Sequence, residues 1–372
     1  MTVKRQLTRV AFSGMAAVER MLRSNVPLAG AKNFLLLQYP SALGTAVHAT
    51  PLIEALKTAC PEARVAIAAS GIAVPLFAHH PAVERMVITP SPLLDLRGAI
   101  QALRTAQLFA GDDFVAITTA GNERTKIALA ALLGTGAARV GFTEAPALYS
   151  SSFQYDPRQS LIDNNLRIVE AFSHPFCHYE PRIFFREEDL AWAKNNLKLA
   201  GVRDGQMVVP FVTQTSVTQR KSWRKERFHA AARHMIDRYG AHVVFLGTAE
   251  EANAIEAIRD GLGDATSSFA GKTTLLQLTA LLSLCRVGLT LDTGILHLGR
   301  TVGLPMAIIA PAWSPPIEWL PLGNPRYRIL KNADMATCPP DYIIDEVSLE
   351  EATNAMDELV AVYPDTSTRL QR

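Results

Sequence analysis

Short apolar runs alternate with segments of helical period along most of the chain. Residues 34–38 and 242–246 are apolar runs of strand length, and turn-forming or polar residues flank each run. Residues 226–239 instead place apolar side chains three and four positions apart, which is the spacing of a helix with one buried face. Strands that alternate with helices in this way predict parallel sheets with helices on both faces.

The alternation occurs twice, in a first and a second half of the chain. The predicted strands are 34–38, 64–69, 85–88, 114–118 and 139–142 in the first half, and 207–212, 242–246, 287–291 and 306–310 in the second. The first predicted helix has Leu52, Ile53, Leu56 and Cys60 on one face, with Pro51 in its first turn, or at a kink if the helix begins at Gly44. The other predicted helices are 72–78, 97–109, 123–133 and 160–172, then 226–239, 250–261, 274–284, 296–302 and 348–362.

A chain of 372 residues has the length of two domains. We predict an N-terminal Rossmann-like domain over 32–178 and a C-terminal one over 187–345. An extension, 1–31, precedes them, and a helix with a tail, 346–372, follows. Two such domains joined by a linker are expected to face each other across a cleft, and clefts of this kind are favoured ligand sites.

Two segments between these elements lack a clear period. Residues 143–160 are predicted to form a mobile loop. Residues 174–181 read as the linker, and His174, Cys177 and His178 in it resemble half of a metal site. No partner pair at a usable spacing follows, so the sequence predicts no metal site.

The extension differs in charge from the rest of the chain. Its apolar positions recur with a rough helical period, and the apolar stretch is too short and broken for a signal peptide. Two interpretations remain open: a basic amphipathic helix on an anionic membrane surface, or a disordered or packed extension. The charged residues are Lys4, Arg5, Arg9, Arg20 and Arg23 against the single acid Glu19.

Composition narrows the function classes. The chain is 48% hydrophobic and 19% charged, as expected for a globular protein, and its net charge of +2 gives no reason to expect nucleic-acid binding. The four cysteines lie far apart in the sequence, which favours reduced thiols in a cytosolic protein. No run of about 18 apolar residues predicts a membrane span. We therefore expect a cytoplasmic protein, with peripheral contact at the inner face of the membrane if the extension binds lipid.

The segment around Asp292 is the first candidate for chemistry. An apolar run ends in Asp292, Thr293 and Gly294, and a helix-like segment with His297 follows. A strand, a tight turn and a helix N-terminus point backbone N–H groups at one place, where an anion can bind. For an isolated motif of this kind, a helix cap and a core histidine would be the simpler interpretation.

Three further loops follow predicted strands of the second half. The loop after 207–212 is rich in hydroxyls and carries two bases, so it could hold phosphate oxygens. The loop after 242–246 carries carboxylates that could accept hydrogen bonds from ribose, and the next loop could wall a base pocket. Each loop could also be plain solvated or capping structure, but four loops at neighbouring strand ends would line one rim. The candidate residues are Thr213, Thr215, Ser216, Arg220 and Lys221, then Glu250 and Glu251, then Thr273.

Short motifs in both halves occur in the order found in one enzyme family. The sequence resembles the lipopolysaccharide heptosyltransferases of glycosyltransferase family 9, a two-domain group with the GT-B fold, over about residues 34–325. In the first half the matching segments are Ser41-Ala-Leu-Gly44 with Thr50-Pro51-Leu, Cys60-Pro61-Glu-Ala-Arg64-Val, and Ala138-Arg139-Val-Gly141-Phe142. In the second half they are Lys221-x-Trp223, Ala270-Gly271-Lys272-Thr273, Asp292-Thr293-Gly294-x-x-His297-Leu298 and Gly303-x-Pro305.

The resemblance implies an inverting, metal-independent transfer of a sugar, typically heptose, from a nucleotide diphosphate such as ADP to a saccharide or lipid-linked saccharide acceptor. It implies no cofactor besides the nucleotide-sugar substrate. By this analogy Lys221 neutralises the diphosphate beside Thr213, Thr215 and Ser216. Glu250 or Glu251 takes the ribose, and Thr273 lies near the base. The donor sugar and phosphates would be held by Asp292, Thr293, Gly294 and His297.

One position departs from the family pattern. The family usually has Asp directly after the loop glycine, as the candidate general base, but here Thr45 follows Gly44. A threonine hydroxyl cannot act as a base near neutral pH, and loss of a general base costs about 10²–10⁴-fold in rate. His48 or an acid elsewhere in the first domain could take the proton. The rival interpretations are a nucleotide-sugar-binding protein without turnover and a nucleotide-sugar epimerase.

Overall fold

A computed structural model describes residues 12–15, 28–214 and 220–363 of the chain. Contacts divide the chain into two compact units, Met1–Phe184 and Phe185–Arg372. Their boundary falls in the interval between the two predicted domains. Each unit is an α/β unit, as predicted, and each contains one parallel sheet of six strands.

The first unit alternates strands and helices from its first strand onward. Its strands are β1 (Asn33–Gln38), β2 (Arg64–Ala69), β3 (Val83–Ile88), β4 (Val115–Thr118), β5 (Ala138–Phe142) and β6 (Ser151–Phe153). Its helices are α1 (Leu43–Val47), α2 (Pro51–Ala59), α3 (Ala73–Phe77), α4 (Leu96–Thr105), α5 (Thr125–Thr135) and α6 (Leu161–Leu166).

The second unit repeats this plan. Its strands are β7 (Val208–Val212), β8 (His242–Leu246), β9 (Thr266–Ser268), β10 (Gly288–Leu291), β11 (Met306–Ile309) and β12 (Tyr327–Leu330). Its helices are α7 (Glu187–Leu199), α8 (Lys225–Tyr239), α9 (Ala252–Arg259), α10 (Leu275–Leu284), α11 (Gly294–Thr301), α12 (Pro316–Trp319) and α13 (Leu349–Val362).

The two sheets have the same topology. The strand orders are β3-β2-β1-β4-β5-β6 and β12-β11-β10-β7-β8-β9, so in each sheet the first and fourth strands of the unit are neighbours. The connections leave these two strands in opposite directions, which opens a crevice at their carboxyl ends. The fold therefore marks one crevice above β1 and β4 and another above β7 and β10.

Burial explains why the central strands were predictable. Leu35 and Leu37 on β1 and Phe211 on β7 are completely buried, because helices cover the sheets. The helix α10 begins at a capping box in which Thr274 accepts from the N–H of Gln277, at the start of the helix predicted over 274–284. Burial and capping thus fix the elements that position the crevices.

Three sequence predictions are wrong in detail. Residues 143–160 are not simply a mobile loop, because they contain β6, which pairs with β5. The helix predicted over 97–109 ends at Thr105, and a separate turn, Leu108–Gly111, follows with left-handed backbone at Phe109 and Ala110. The edge strands β9 and β12 were missed because they are short, and β9 is wholly polar.

The described part of the N-terminal extension is short. Residues 12–15 are helical, and Phe12 and Met15 pack against a cluster that includes Ala128 and Leu132 of α5. These residues thus fit the interpretation of an extension packed on the body. The remainder of the extension lies outside the described residues.

Two further features bear on the sequence predictions. Within the described ranges, the structure contains no helix that is long and apolar enough to cross a membrane. Cys60, Cys177, Cys285 and Cys338, all within the described residues, form no disulfide bond.

Candidate active site

The crevice of the second unit lies where β7 and β10 end. Val212 and Thr290 are register partners in these two parallel strands. Thr213 therefore follows β7 beside the point where Asp292 follows β10. The loops after β8 and β9 continue along the same edge, because these strands are the next neighbours in the sheet. The four candidate loops thus follow four adjacent strands.

A buried ion pair joins two of the loops. The Nζ of Lys221 lies 2.6 Å from Oδ2 of Asp292, and it also donates to the Asp292 carbonyl oxygen at 3.3 Å. Only 11% of the Lys221 side chain and 4% of the Asp292 side chain are exposed. Burial of both charges makes their hydrogen bonding obligatory, because an unpaired buried charge costs several kcal/mol (about 3–5).

Trp223 explains why Lys221 lies at this point. Its indole Nε1 donates to the Val347 carbonyl oxygen at 2.9 Å, and its ring packs edge-on against Phe228 at 4.9 Å. Trp223 also forms a parallel β-bridge with Ile344, whose N–H donates to the Ser222 carbonyl oxygen at 2.8 Å. The Lys-x-Trp motif therefore consists of a buried cation and the aromatic residue that anchors its loop.

The turn after Asp292 leads into a helix, as predicted. α11 starts at Gly294, and Thr293 occupies the N-cap position with extended backbone but without a side-chain capping bond. The Thr293 hydroxyl is buried and has no hydrogen-bond partner among the described residues, and the same is true of the Thr213 hydroxyl. Thr293 therefore does not cap α11 through its side chain. Two hydroxyls beside a helix N-terminus can donate to an anion.

His297 lies within α11, and only 4% of the residue is exposed. Burial, together with the nearby cations Arg300 and Lys221, lowers the pKa of His297 to about 3. The imidazole is therefore neutral at physiological pH. Its ring centroid lies 5.9 Å from that of Trp319. A neutral imidazole here can exchange hydrogen bonds but carries no charge to a phosphate.

Trp313 is a neighbour of Lys221 that the sequence analysis missed. The Nζ of Lys221 lies 5.8 Å from the Trp313 ring centroid, and the indole donates to the Arg220 carbonyl oxygen at 2.9 Å. Arg220 has left-handed backbone, with φ of 45°, and its guanidinium donates to the Cys338 and Pro339 carbonyl oxygens. The only sequence signal for Trp313 was an aromatic residue shortly after β11.

The predicted ribose and base loops lie side by side. The N–H of Gly271 donates to the Gly247 carbonyl oxygen at 3.0 Å. Glu251 accepts from the N–H of Thr248 at 2.8 Å, so its carboxylate already closes the turn before α9. Glu250 is exposed, and hydrogen bonds from its own backbone and from Thr248 lower its pKa. Thr273 is partly buried and directly precedes the cap of α10.

Glu250 is thus the freer of the two carboxylates for a ribose, and its role stays a prediction. Thr215 and Ser216, which the sequence analysis placed beside the diphosphate, lie outside the described residues.

In the first unit, the Ser41–Thr45 loop lies above β1. α1 begins at Leu43, so Thr45 is in its first turn, and His48 directly follows its last residue. Thr45 lies so close to Gly121, at the end of β4, that a β-carbon on Gly121 would be 2.2 Å from its methyl group. Only 1% of His48 is exposed. The structure thus puts Thr45 at the crevice and His48 beneath it, and the catalytic role of each stays a prediction.

Buried polar side chains support this loop from below. Gln38 donates to the Thr119 hydroxyl at 3.1 Å, and Asn122 donates to the same hydroxyl at 3.0 Å. Asn122 in turn accepts from the N–H of Tyr39 at 2.6 Å. This network ties the end of β1 to the loop after β4 and fixes the floor of the first crevice.

His178, in the predicted linker 174–181, is bound between two carboxylates. The Nδ1 of His178 lies 2.7 Å from an Asp163 oxygen, and its Nε2 lies 3.6 Å from Glu180. Both carboxylates raise the pKa of His178, to about 9. A protonated histidine between two acids holds the linker against α6.

Several solved structures share the fold of this protein over most of the chain. A family 9 glycosyltransferase from Veillonella parvula superposes with a TM-score of 0.79 at 17% identity, over 89% of this chain and 98% of that one. The Escherichia coli ADP-heptose lipopolysaccharide heptosyltransferase II gives 0.72 at 18% identity, over 89% and 99%. The Escherichia coli heptosyltransferase WaaC with ADP-2-deoxy-2-fluoro heptose gives 0.63 at 15% identity, over 87% and 99%. These likenesses confirm the predicted GT-B fold.

Sequence comparison gives the family independently. No curated protein matches the sequence. The family model for glycosyltransferase family 9 (heptosyltransferase) matches residues 122–339, which is more than half of the chain and contains Lys221, Asp292 and His297. The chain is therefore a member of glycosyltransferase family 9, and it is a glycosyltransferase.

Proposed function

We propose that the protein transfers a heptose from ADP-heptose, with inversion and without a metal, to a lipopolysaccharide-core or other cell-envelope saccharide at the cytoplasmic side of the membrane. The observation that carries the proposal is the Lys221–Asp292 pair beside the N-terminus of α11. Two of the similar structures are heptosyltransferases whose names or ligands include an ADP-heptose or its fluoro analogue.

The geometry suits a leaving nucleoside diphosphate. Negative charge grows on the diphosphate in the transition state, and a fixed ammonium with a helix N-terminus stabilises this charge without a metal. The unpartnered hydroxyls of Thr213 and Thr293 supply donors at the same place. Because these groups are already held by the fold, little reorganisation is needed when the charge develops.

Calorimetric titration with ADP, UDP and GDP, without and then with magnesium, tests the donor site. We expect metal-independent binding of one nucleotide, and about tenfold or greater loss of affinity in Lys221→Ala, because a charge-assisted contact to phosphate is removed. Lys194→Ala is the matched control, since Lys194 is an exposed lysine of α7. Equal affinities for Lys221→Ala and the wild type would remove Lys221 from the donor site.

Asp292 is left buried without its partner in Lys221→Ala, so the variant must first be shown to be folded. Its thermal unfolding and far-ultraviolet circular dichroism are compared with those of the wild type. If it does not fold, Lys221→Arg serves instead: it keeps the charge but places it on a longer, planar group.

Thr45 favours a second candidate, a protein that binds a nucleotide sugar without efficient turnover. A transferase releases nucleoside diphosphate only when a saccharide acceptor is present, whereas a binding protein releases none. The proton acceptor in a transferase would be His48 or an acid of the first unit. Because only 1% of His48 is exposed, the acceptor hydroxyl would have to reach the floor of the crevice for His48 to take its proton.

A further inference from the structure

Two neighbouring helices of the first unit carry exposed leucines together with arginine and lysine. The α4–α5 surface consists of Leu93, Leu94, Leu133, Arg97, Arg104 and Lys126. Leu94 is 89% exposed, Leu133 is 40% exposed and Leu93 is 37% exposed. Leu93 and Leu94 are adjacent just before the start of α4, and Leu133 lies near the end of α5. Exposed leucines are common singly, but two adjacent ones indicate a candidate contact surface.

Hydrogen bonds hold the leucines in place. Lys126 donates to the Leu93 carbonyl oxygen at 2.8 Å, and Arg104 donates to the Leu133 carbonyl oxygen at 2.8 Å. The turn before α4 is closed by the N–H of Leu94, which donates to the Ser91 carbonyl oxygen at 3.0 Å. The two helices therefore run side by side in one direction, and a fixed turn presents Leu93 and Leu94 at their start.

The charges on the two helices themselves are all positive. Neither α4 nor α5 contains an acidic residue, whereas Arg97, Arg104 and Lys126 are all exposed. The nearest acid in sequence is the exposed Asp95, whose carboxylate accepts from the N–H of Gly98 as the cap of α4. Protruding aliphatic side chains among cations that outnumber this acid suit a surface that is apolar within and anionic outside.

The N-terminal extension contacts one of these two helices. Phe12 and Met15 of the N-terminal extension pack against Ala128 and Leu132 of α5. The extension carries Arg9 and Arg20 close to them in sequence. Part of the basic extension is thus anchored on the same helix that contributes Lys126 and Leu133, rather than on an unrelated side of the unit.

We propose that the α4–α5 surface binds the face of an anionic lipid bilayer, with Leu93 and Leu94 inserted among the headgroups and Arg97, Arg104 and Lys126 against lipid phosphates. Leu93 and Leu94 follow β3 at the carboxyl edge of the sheet, which is the edge that carries the Thr45 loop. Binding by this surface would bring that edge close to the bilayer, where a lipid-linked saccharide is found. The proposal does not depend on the nature of the donor.

Cosedimentation of the full-length protein with vesicles of phosphatidylethanolamine and phosphatidylglycerol tests it. We expect binding to these vesicles and much weaker binding to pure phosphatidylcholine. Leu93→Ser with Leu94→Ser should weaken partitioning about tenfold, since two aliphatic side chains no longer leave water. Leu199→Ser is the matched control, because Leu199 is a 77% exposed leucine at the end of α7 in the second unit.

The electrostatic part is tested separately. Arg97→Gln, Arg104→Gln and Lys126→Gln should each weaken binding about fivefold at low salt. Binding of the wild type should fall between about 0.1 M and about 1 M salt, as the Debye length shrinks from about 10 Å to about 3 Å. The exposed side chains make these substitutions compatible with the fold, which thermal unfolding checks.

Three outcomes would overturn the proposal. In the first, the double leucine variant binds vesicles as tightly as the wild type. If removal of residues 1–11 then abolishes binding, the extension and not the α4–α5 surface binds the membrane. In the second, the wild type ignores anionic vesicles. In the third, light scattering finds a wild-type dimer that the double variant abolishes, so a second copy covers the surface. Nucleotide affinity should be the same in the double variant and the wild type, so failure here leaves the proposed transferase activity untouched.

Discussion

Asp292 sets how strongly Lys221 can attract a phosphate. Its carboxylate lies 2.6 Å from the ammonium, so it competes with an incoming diphosphate for the same donor and repels it. We expect Asp292→Asn to bind ADP about tenfold more tightly than the wild type. If Asp292 also contacts the donor sugar, ADP-heptose should gain less affinity than ADP. Calorimetry with both ligands measures the difference.

Weaker instead of tighter ADP binding in Asp292→Asn would give Asp292 a different role. A loss of ADP affinity as large as that of Lys221→Ala would mean that the carboxylate is needed to position the ammonium. Thermal unfolding of Asp292→Asn separates this outcome from misfolding, because Lys221 is then buried without its counter-ion.

His80 makes the first unit sensitive to acid. Burial, together with the nearby Arg182, lowers its pKa from an ordinary 6.5 to about 4. The N–H of Ala82 donates to its Nδ1. Below pH 6.5 the unfolded chain takes up a proton that folded His80 does not take up until about pH 4. The free energy of unfolding should therefore decrease as the pH is lowered from 6.5 to about 4, with a limiting slope of about 1.4 kcal/mol per pH unit.

Urea unfolding from pH 7.5 down to pH 4.5 measures this slope. His80→Asn keeps an acceptor for the Ala82 N–H but cannot titrate, so its slope should be smaller than that of the wild type. The neighbouring His79 is exposed, and His79→Asn should keep the wild-type slope. Parallel curves for His80→Asn and the wild type would contradict the assignment.

Among the strands, β5 depends on a glycine for its approach to β4. Gly141 has φ of 123°, and a β-carbon there would lie 2.0 Å from the carbonyl oxygen of Thr118, its register partner. We expect Gly141→Ala to destabilise the first unit by more than about 3 kcal/mol, because the clash is with backbone that cannot rotate away. Urea unfolding measures the loss.

Gly30→Ala is the control for backbone conformation alone. Gly30 has φ of 83°, and a β-carbon there would have nothing within 4 Å. Its replacement should cost only about 1–2 kcal/mol, the cost of left-handed backbone for a residue with a side chain. Equal losses at the two positions would mean that conformation, and not the contact with Thr118, makes Gly141 necessary.

At the scale of strands and helices, the sequence predicted those elements whose residue pattern follows from burial in the core. Buried strands such as β1 and β8 are continuous apolar runs, and helices such as α8 keep a regular apolar period. It missed β6 and β9, because each has only one neighbouring strand and little apolar character. Edge strands owe their shape to pairing with distant residues, which a local pattern does not contain.

The residues of the candidate site also fall into two groups, those that a local motif predicts and those whose contacts depend on the fold. The turn before α11 follows from a local motif, so Thr293 and Gly294 were found. The contact between Lys221 and Asp292 spans 71 positions in the sequence, and the position of Trp313 depends on the fold of two loops. Local spacing could suggest these residues one by one but could not show which of them touch.

The whole molecule consists of two units with separate cores, and only the second contains the Lys221–Asp292 pair. A ligand that binds only the folded state stabilises by an amount set by its concentration, about 2.7 kcal/mol at one hundred times its Kd. We therefore expect saturating ADP to slow amide hydrogen exchange in β7, β10 and α11 while exchange in β1 and β4 changes little. At the same ADP concentration Lys221→Ala, with about tenfold lower affinity, should gain only about 1.4 kcal/mol and show correspondingly weaker protection. Protection of both sheets to the same degree would show that the two units open as one cooperative body, whereas protection confined to the first unit would move the nucleotide to the other crevice.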